Sequence, residues 1–143
     1  MKPWKREQIL LVLPSDDLAI PSEASVGQLY ERMLRSEGYA PQVCTDREDI
    51  LNLIANSLPH LIIWYLKPNV YEDVSKTLRQ IHQMYNEFER PLIFLLVSTI
   101  HDIARFGLLA DKVMEFLIDK NDLLSAVENL LLSKGGANKV KPN

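Results

Sequence analysis

The chain has 143 residues, which is enough for one domain. Its composition, 47% hydrophobic and 24% charged, predicts a packed core and excludes an intrinsically disordered segment. A net charge of −3 gives no general electrostatic reason to bind nucleic acid or an anionic membrane, and the single cysteine, Cys44, excludes a disulfide framework. These features favour a cytoplasmic location, and the apolar run 9–13 is too short for a signal peptide or a membrane span.

Strand-like and helix-like segments alternate along the chain. The expected strands are apolar runs at 9–13, 40–45, 91–98 and 113–118 and in the stretch "PHLIIWYLKPN" (59–69), which runs from a strand into a loop. The expected helices occupy 22–38, 46–58, 70–89, 101–110 and 122–136. Five such units predict a parallel sheet covered by helices on both faces, with the doubly wound flavodoxin-like strand order 2-1-3-4-5.

Polar residues and glycines predict where the helices begin and end. The expected caps at the starts of the first, second and last helices are Ser22 or Ser25, Thr45 or Asp46, and Asn121 or Asp122. Gly38 is expected to end the first helix, and Gly135 with Gly136 the last. We therefore predict an N-terminal extension at 1–7, a domain at 8–134, and a flexible tail or the start of a linker at 135–143.

Four segments resemble the receiver domain of two-component response regulators. "RSEGYAPQVCTDREDILNLI" is similar to the receiver's second strand and second helix, and "PHLIIWYLKP" to its third strand, which usually ends in the phospho-accepting aspartate. "RPLIFLLVS" is similar to the fourth strand, and "MEFLIDKNDLLSAVENLL" to the fifth strand with its helix. The resemblance spans roughly residues 8–133 and implies the flavodoxin-like fold and a role in signal transduction.

The resemblance also implies positions for phosphorylation chemistry, and they depart from the usual residues. A receiver uses an aspartate nucleophile on strand 3, an acidic pair after strand 1 that holds Mg²⁺, a Ser or Thr after strand 4 and a Lys after strand 5. The nucleophile position falls on Tyr65 when counted from Pro59 and on Trp64 when counted from Pro68. The other positions are occupied by Leu13 and Pro14, by Leu96, and by Asp119 with Lys120 one residue later.

Nearby polar residues do not restore these positions. Asp16 and Asp17 come later in the chain than the acidic pair of a receiver does. We interpret them as loop acids, since two adjacent carboxylates without a third ligand form a weak Mg²⁺ site. Ser98 and Thr99 are expected to cap the helix after strand 4. The aromatic pair is expected to fill the former acidic pocket. The resemblance therefore implies a pseudo-receiver without aspartyl phosphorylation, metal, cofactor or enzymatic activity.

The last helix has more leucines than one buried face requires. Leu123, Val127 and Leu130 form one stripe, and further leucines lie beyond it, which indicates either a wide core-facing stripe or a second contact surface. By analogy with the family, a protein partner or a second copy would dock on the face of the fourth helix, fifth strand and fifth helix. The candidate residues there are Phe106, Leu109, Phe116, Leu124, Leu131 and Leu132. No nucleic-acid or membrane partner is expected.

Two alternatives stay open. The first is a receiver that is phosphorylated or metal-bound in displaced geometry, using Asp16 or Asp17 with Lys120. The second is a small flavodoxin-like ligand-binding protein or enzyme. It has little support, because the chain has no Gly-rich phosphate motif, no metal-ligand spacing of histidines and no nucleophile elbow.

Overall fold

The computed structural model describes residues 7–14, 26–45, 48–115 and 119–140. The strands are β1 (Gln8–Leu13), β2 (Ala40–Thr45), β3 (Leu61–Tyr65), β4 (Leu92–Val97) and β5 (Lys112–Glu115). The α-helices are α1 (Val26–Ser36), α2 (Ile50–Ser57), α3 (Tyr71–Met84) and α4 (Lys120–Val140), and the 3₁₀ helices are η1 (Pro68–Val70) and η2 (Ile100–Phe106). The predicted order of elements is confirmed, while Ser22, Ser25 and residues 116–118 lie outside the described residues.

The strands form a parallel sheet in the order β2-β1-β3-β4-β5, as predicted. The central strands β1, β3 and β4 are buried along almost their whole length. A strand covered by helices on both faces has no side that favours polar residues, which explains the continuous apolar runs in the sequence. Because side chains alternate along a strand, each strand contributes to two separate cores.

The two cores are named here after the helices that cover them. The α2/α3 cluster consists of Leu10, Val12, Cys44, Ile50, Ile54, Ile62, Trp64, Leu66, Tyr71, Val74, Leu78, Ile81, Ile93, Leu95, Val97 and Phe106. The α1/α4 cluster consists of Ile9, Leu11, Leu13, Tyr30, Leu34, Tyr39, Leu61, Ile63, Tyr65, Phe94, Leu96, Leu123, Ala126 and Val127. Trp64 and Tyr65, adjacent in the chain, therefore lie on opposite faces of the sheet.

The predicted caps of two helices are wrong. Helix α2 begins at Ile50, where Asp49 Oδ1 accepts a hydrogen bond from the Asn52 N–H at 3.1 Å. Helix α4 begins at Lys120, and Asp119 Oδ2 accepts a hydrogen bond from the Asn121 N–H at 3.0 Å. In both cases a different aspartate accepts from a free N–H group of the first helical turn.

The end of α1 is confirmed at Gly38, which has a positive φ of 92°. The Gly38 N–H donates to the Arg35 carbonyl at 3.0 Å, and the Tyr39 N–H donates to the Leu34 carbonyl at 3.1 Å. This is the Schellman arrangement, in which a glycine in left-handed conformation lets the last carbonyls of a helix find donors.

Two other predictions about helices need correction. Helix α4 does not stop at Gly135 and Gly136 but continues through them to Val140. The segment predicted as a short helix at 101–110 is the 3₁₀ helix η2, followed by a turn. Among the described residues, no helix has the length and apolarity required to cross a bilayer.

Candidate functional site

The carboxyl ends of β1, β3 and β4 hold three buried side chains in a row. Tyr65 is the last residue of β3 and pairs with Leu96 of β4. Val12 of β1 pairs with Trp64, so Leu13 lies beside Tyr65 one residue further along both strands. Leu13 and Leu96 are fully buried and Tyr65 is 8% exposed, all within the α1/α4 cluster. This row is where an open parallel sheet usually binds its ligand.

The described residues at this row do not suit a magnesium ion. Mg²⁺ requires oxygen ligands, mainly carboxylates and water, whereas the row presents leucine, tyrosine and the buried Pro14 that follows β1. In the part of the chain that the structure describes, no three His, Cys, Asp or Glu side chains are close enough together to hold a metal. Asp16 and Asp17 lie outside the described residues.

Between β5 and helix α4 the structure describes Asp119, which makes contacts with the first turn of the helix. The Asp119 carboxylate caps the helix, and the Asp119 carbonyl accepts a hydrogen bond from the Leu123 N–H at 2.9 Å. This aspartate therefore has a local structural role at the start of α4. The side chains of Lys120 and Phe116 lie outside the described residues.

Trp64 lies on the other face of the sheet, in the α2/α3 cluster, and is 2% exposed. Its indole Nε1–H is buried and has no hydrogen-bond partner among the residues that the structure describes. An unpartnered buried donor costs about 1 to 3 kcal/mol relative to a satisfied one. Tyr65 therefore shares the row with Leu13 and Leu96, whereas Trp64 packs beneath α2 and α3.

A polar cluster that the sequence did not predict joins the connections that follow β3 and β4. The Tyr71 hydroxyl donates to Asp102 Oδ2 at 2.7 Å and accepts from the Ser98 N–H at 3.4 Å. The Thr99 hydroxyl lies 3.3 Å from the same Asp102 oxygen, and the Arg105 guanidinium lies 5.3 Å from the centre of the Tyr71 ring. Burial, followed by the hydrogen bond to Asp102, raises the pKa of Tyr71.

Sequence reasoning missed this cluster because Tyr71 and Asp102 are 31 residues apart. The only local signal was the pair Ser98 and Thr99, expected to cap the next helix. Thr99 does occupy the cap position of η2, but its hydroxyl makes no hydrogen bond to the helix backbone and contacts Asp102 instead.

The predicted interaction surface is only partly exposed. Phe106 does not belong to it: the side chain is fully buried and packs edge-on against Tyr71, with ring centres 5.3 Å apart. Three other candidates, Leu109, Leu124 and Leu131, are half-buried against the two cores. Leu132 is 62% exposed, and Leu108, which the sequence reasoning did not select, is 97% exposed.

Solved structures of the same fold include several receiver domains. The signal receiver domain of a protein described as a Luxo repressor, from Vibrio parahaemolyticus, is 23% identical, with a TM-score of 0.71 over 94% of this chain and 97% of that one. The response regulator TrrA from Thermotoga maritima, in complex with Mg²⁺ and BeF, is 19% identical, with a TM-score of 0.67 over 87% and 98%. A CheY-like receiver domain from Methanospirillum hungatei is 16% identical, with a TM-score of 0.70 over 92% and 98%.

The chain has the fold of response regulator receiver domains. The flavodoxin-like sheet order predicted from the sequence is thereby confirmed. No protein-family model matches the chain, and no curated protein matches its sequence.

Proposed function

We propose that this chain is an atypical receiver domain that acts in two-component signal transduction through protein–protein contact, without aspartyl phosphorylation and without enzymatic activity. The observation that supports this most strongly is the apolar row Leu13–Tyr65–Leu96 at the carboxyl ends of the strands. A tyrosine hydroxyl is protonated at neutral pH and is therefore a poor phosphoryl acceptor, and leucines offer no ligand to a metal and no donor to phosphoryl oxygens.

The test uses Mg²⁺ with beryllofluoride, the ligands present in the Thermotoga maritima TrrA structure. We expect the backbone amide NMR spectrum of this chain to be unchanged by Mg²⁺ and beryllofluoride together. Shifts centred on the carboxyl ends of β1, β3 and β4 would contradict the proposal. They would favour the displaced-geometry receiver that uses Asp16 or Asp17 with Lys120.

We place the contact surface for a partner or a second copy on the exposed parts of the η2–β5–α4 face. Leu108 and Leu132 support this placement, because both are large apolar side chains with most of their area in solvent. Leu124 is a poorer probe, since it is half-buried against the α1/α4 cluster and a charge there would disturb folding.

Analytical ultracentrifugation tests the homodimer form of this proposal. We expect the double variant Leu108→Glu with Leu132→Glu to sediment as a monomer at concentrations at which the unmodified chain self-associates. Leu29→Glu is the matched control, because Leu29 lies on α1 and is 45% exposed. This variant should leave association unchanged. Self-association that survives the double variant would exclude this face as the dimer interface.

A further inference from the structure

The seam between α2 and α3 contains a groove of about 280 Å³. Its walls include Glu48 and Asp49 at the start of α2, Asp73, Thr77 and Gln80 on α3, and Trp64 from β3. The groove lies on the α2/α3 side of the sheet and is separate from the row Leu13–Tyr65–Leu96, which belongs to the α1/α4 cluster.

The charge of the groove is one-sided. Glu48, Asp49 and Asp73 are exposed, and no Lys, Arg or His is among the described residues that line it. Glu48 accepts a hydrogen bond from the Thr45 N–H at 2.9 Å and Asp49 caps α2, so a backbone donor fixes each of these two carboxylates. Neither carboxylate forms an ion pair with a described cation. Three carboxylates around one groove favour a positively charged occupant.

Trp64 provides a second and independent sign of a ligand. The indole lies between the sheet and the two helices whose seam forms the groove, and its Nε1–H has no acceptor among the described residues. Trp64 itself lines the groove, so an acceptor bound there would lie beside the indole. Because the N–H is closed to solvent, an acceptor can reach it only if the walls of the groove shift.

The residues that line the groove extend along α3. The residues that α3 and the preceding turn contribute run from Val70 to Gln80, about 15 Å along the helix axis at 1.5 Å per residue. An extended peptide covers that distance with about four or five residues. A main-chain carbonyl of such a peptide supplies the acceptor that Trp64 lacks.

We propose that this groove binds an extended basic segment of a partner protein. A Lys or Arg side chain of the segment lies against the three carboxylates, and a carbonyl next to it accepts from the Trp64 Nε1–H. The inference rests on the proposed function as a protein-interaction domain and gives that function a second surface, away from η2, β5 and α4.

The experiment is an NMR titration of the ¹⁵N-labelled chain with the capped peptide Ala-Leu-Lys-Leu-Ala, followed through the tryptophan indole resonances. Trp4→Phe assigns the resonance of Trp64. We expect that resonance to move downfield, as it does when an N–H gains an acceptor, and the same peptide with Glu in place of Lys to leave it unchanged. Added salt should weaken the binding, since the contacting charges are exposed.

Two variants separate the contributions. Asp73→Asn should weaken binding of the Lys peptide about threefold, which is the effect of one exposed charge pair. Glu72→Gln should leave binding unchanged, because Glu72 is exposed on the same helix but outside the groove. Trp64→Phe should weaken it about tenfold by removing the donor. Absence of an indole shift, equal binding of the Glu peptide, or equal effects of Asp73→Asn and Glu72→Gln would each overturn the inference. None of these results bears on the beryllofluoride test.

Discussion

The carboxyl and amino ends of the sheet differ in the polarity of their buried side chains. At the carboxyl end, the row Leu13–Tyr65–Leu96 is buried and apolar. At the amino end, Arg90 and Asp111 form a two-point ion pair with N–O distances of 2.8 and 3.0 Å. Asp111 also accepts from the Ile93 N–H at 2.8 Å, which ties the start of β4 to the turn before β5.

The contacts that stabilise the fold at the amino end are therefore distinct from the positions at the carboxyl end that a receiver would use for phosphorylation. The Arg90–Asp111 pair at the amino end fixes the connections between elements. At the carboxyl end, where ligands of such sheets bind, the described central row has no charged side chain, and the described carboxylates lie to its sides, as at Asp102 beside Tyr71 and at Glu48 and Asp49 before α2. We infer that charged side chains contribute more to stability at the amino end than in the central row at the carboxyl end, and the following variants test that inference.

A carboxylate in place of the Tyr65 phenol should have the largest effect on stability. Tyr65→Asp places a charge among leucines without a described cation or metal to compensate it, and should lower the free energy of unfolding by about 3 to 5 kcal/mol in urea denaturation. Tyr65→Phe keeps the ring and should cost no more than about 1.5 kcal/mol. If Tyr65→Asp were stable and responded to Mg²⁺ with beryllofluoride, the carboxyl end would still contain the partners of an acidic pocket.

Breaking the ion pair at the amino end should have the second largest effect on stability. The Arg90 and Asp111 side chains are 12% and 22% exposed, so solvent screens them only in part. Asp111→Asn should lower the free energy of unfolding by about 2 kcal/mol, because it weakens charged hydrogen bonds to two groups. Glu115→Gln, at an exposed position of β5, is the control and should change it by less than about 0.5 kcal/mol.

The same pair predicts a dependence on pH. Burial raises the pKa of Asp111, but the hydrogen bonds from Arg90 and Ile93 outweigh it and leave the pKa below its usual value. A lowered pKa stabilises the fold above the unfolded-state pKa of about 3.9, and this contribution is lost as pH falls through the folded pKa. The difference in stability between the unmodified chain and Asp111→Asn should therefore shrink below about pH 4. A constant difference would show that the charge of Asp111 is not what matters.

Removing one hydroxyl tests the polar cluster at the carboxyl end. Tyr71→Phe keeps the ring contact with Phe106 but removes the hydrogen bonds to Asp102 and Ser98, and should cost about 1 kcal/mol in the same assay. Tyr85→Phe removes a hydroxyl from a half-buried tyrosine of the same face and should cost less. Equal costs would mean that the cluster contributes nothing beyond packing.

These regions also show what sequence alone can predict. The central strands β1, β3 and β4 were predictable because burial on both faces leaves a continuous apolar run, and Gly38 was predictable because few other residues accept its positive φ. The caps were missed by two to four residues because several polar residues compete for each helix start. Phe106 was assigned to the surface because a helix was assumed after β4, whereas the 3₁₀ helix there turns the side chain into the α2/α3 cluster. The Tyr71–Asp102 and Arg90–Asp111 pairs leave no local pattern, since their members are far apart in the chain.

The smallest effect is expected where α2 ends, at the amino end of the sheet. Leu58 has a positive φ of 48°, and its side chain is 65% exposed, so it is in left-handed conformation without burying much surface. Leu58→Gly should relieve that strain and, after the entropy that glycine adds to the unfolded chain, raise the free energy of unfolding by about 0.5 kcal/mol. Gly38→Ala, the opposite change at the end of α1, should lower it by about 1 kcal/mol. If both variants shifted stability in the same direction, backbone strain would not be what distinguishes these two helix ends.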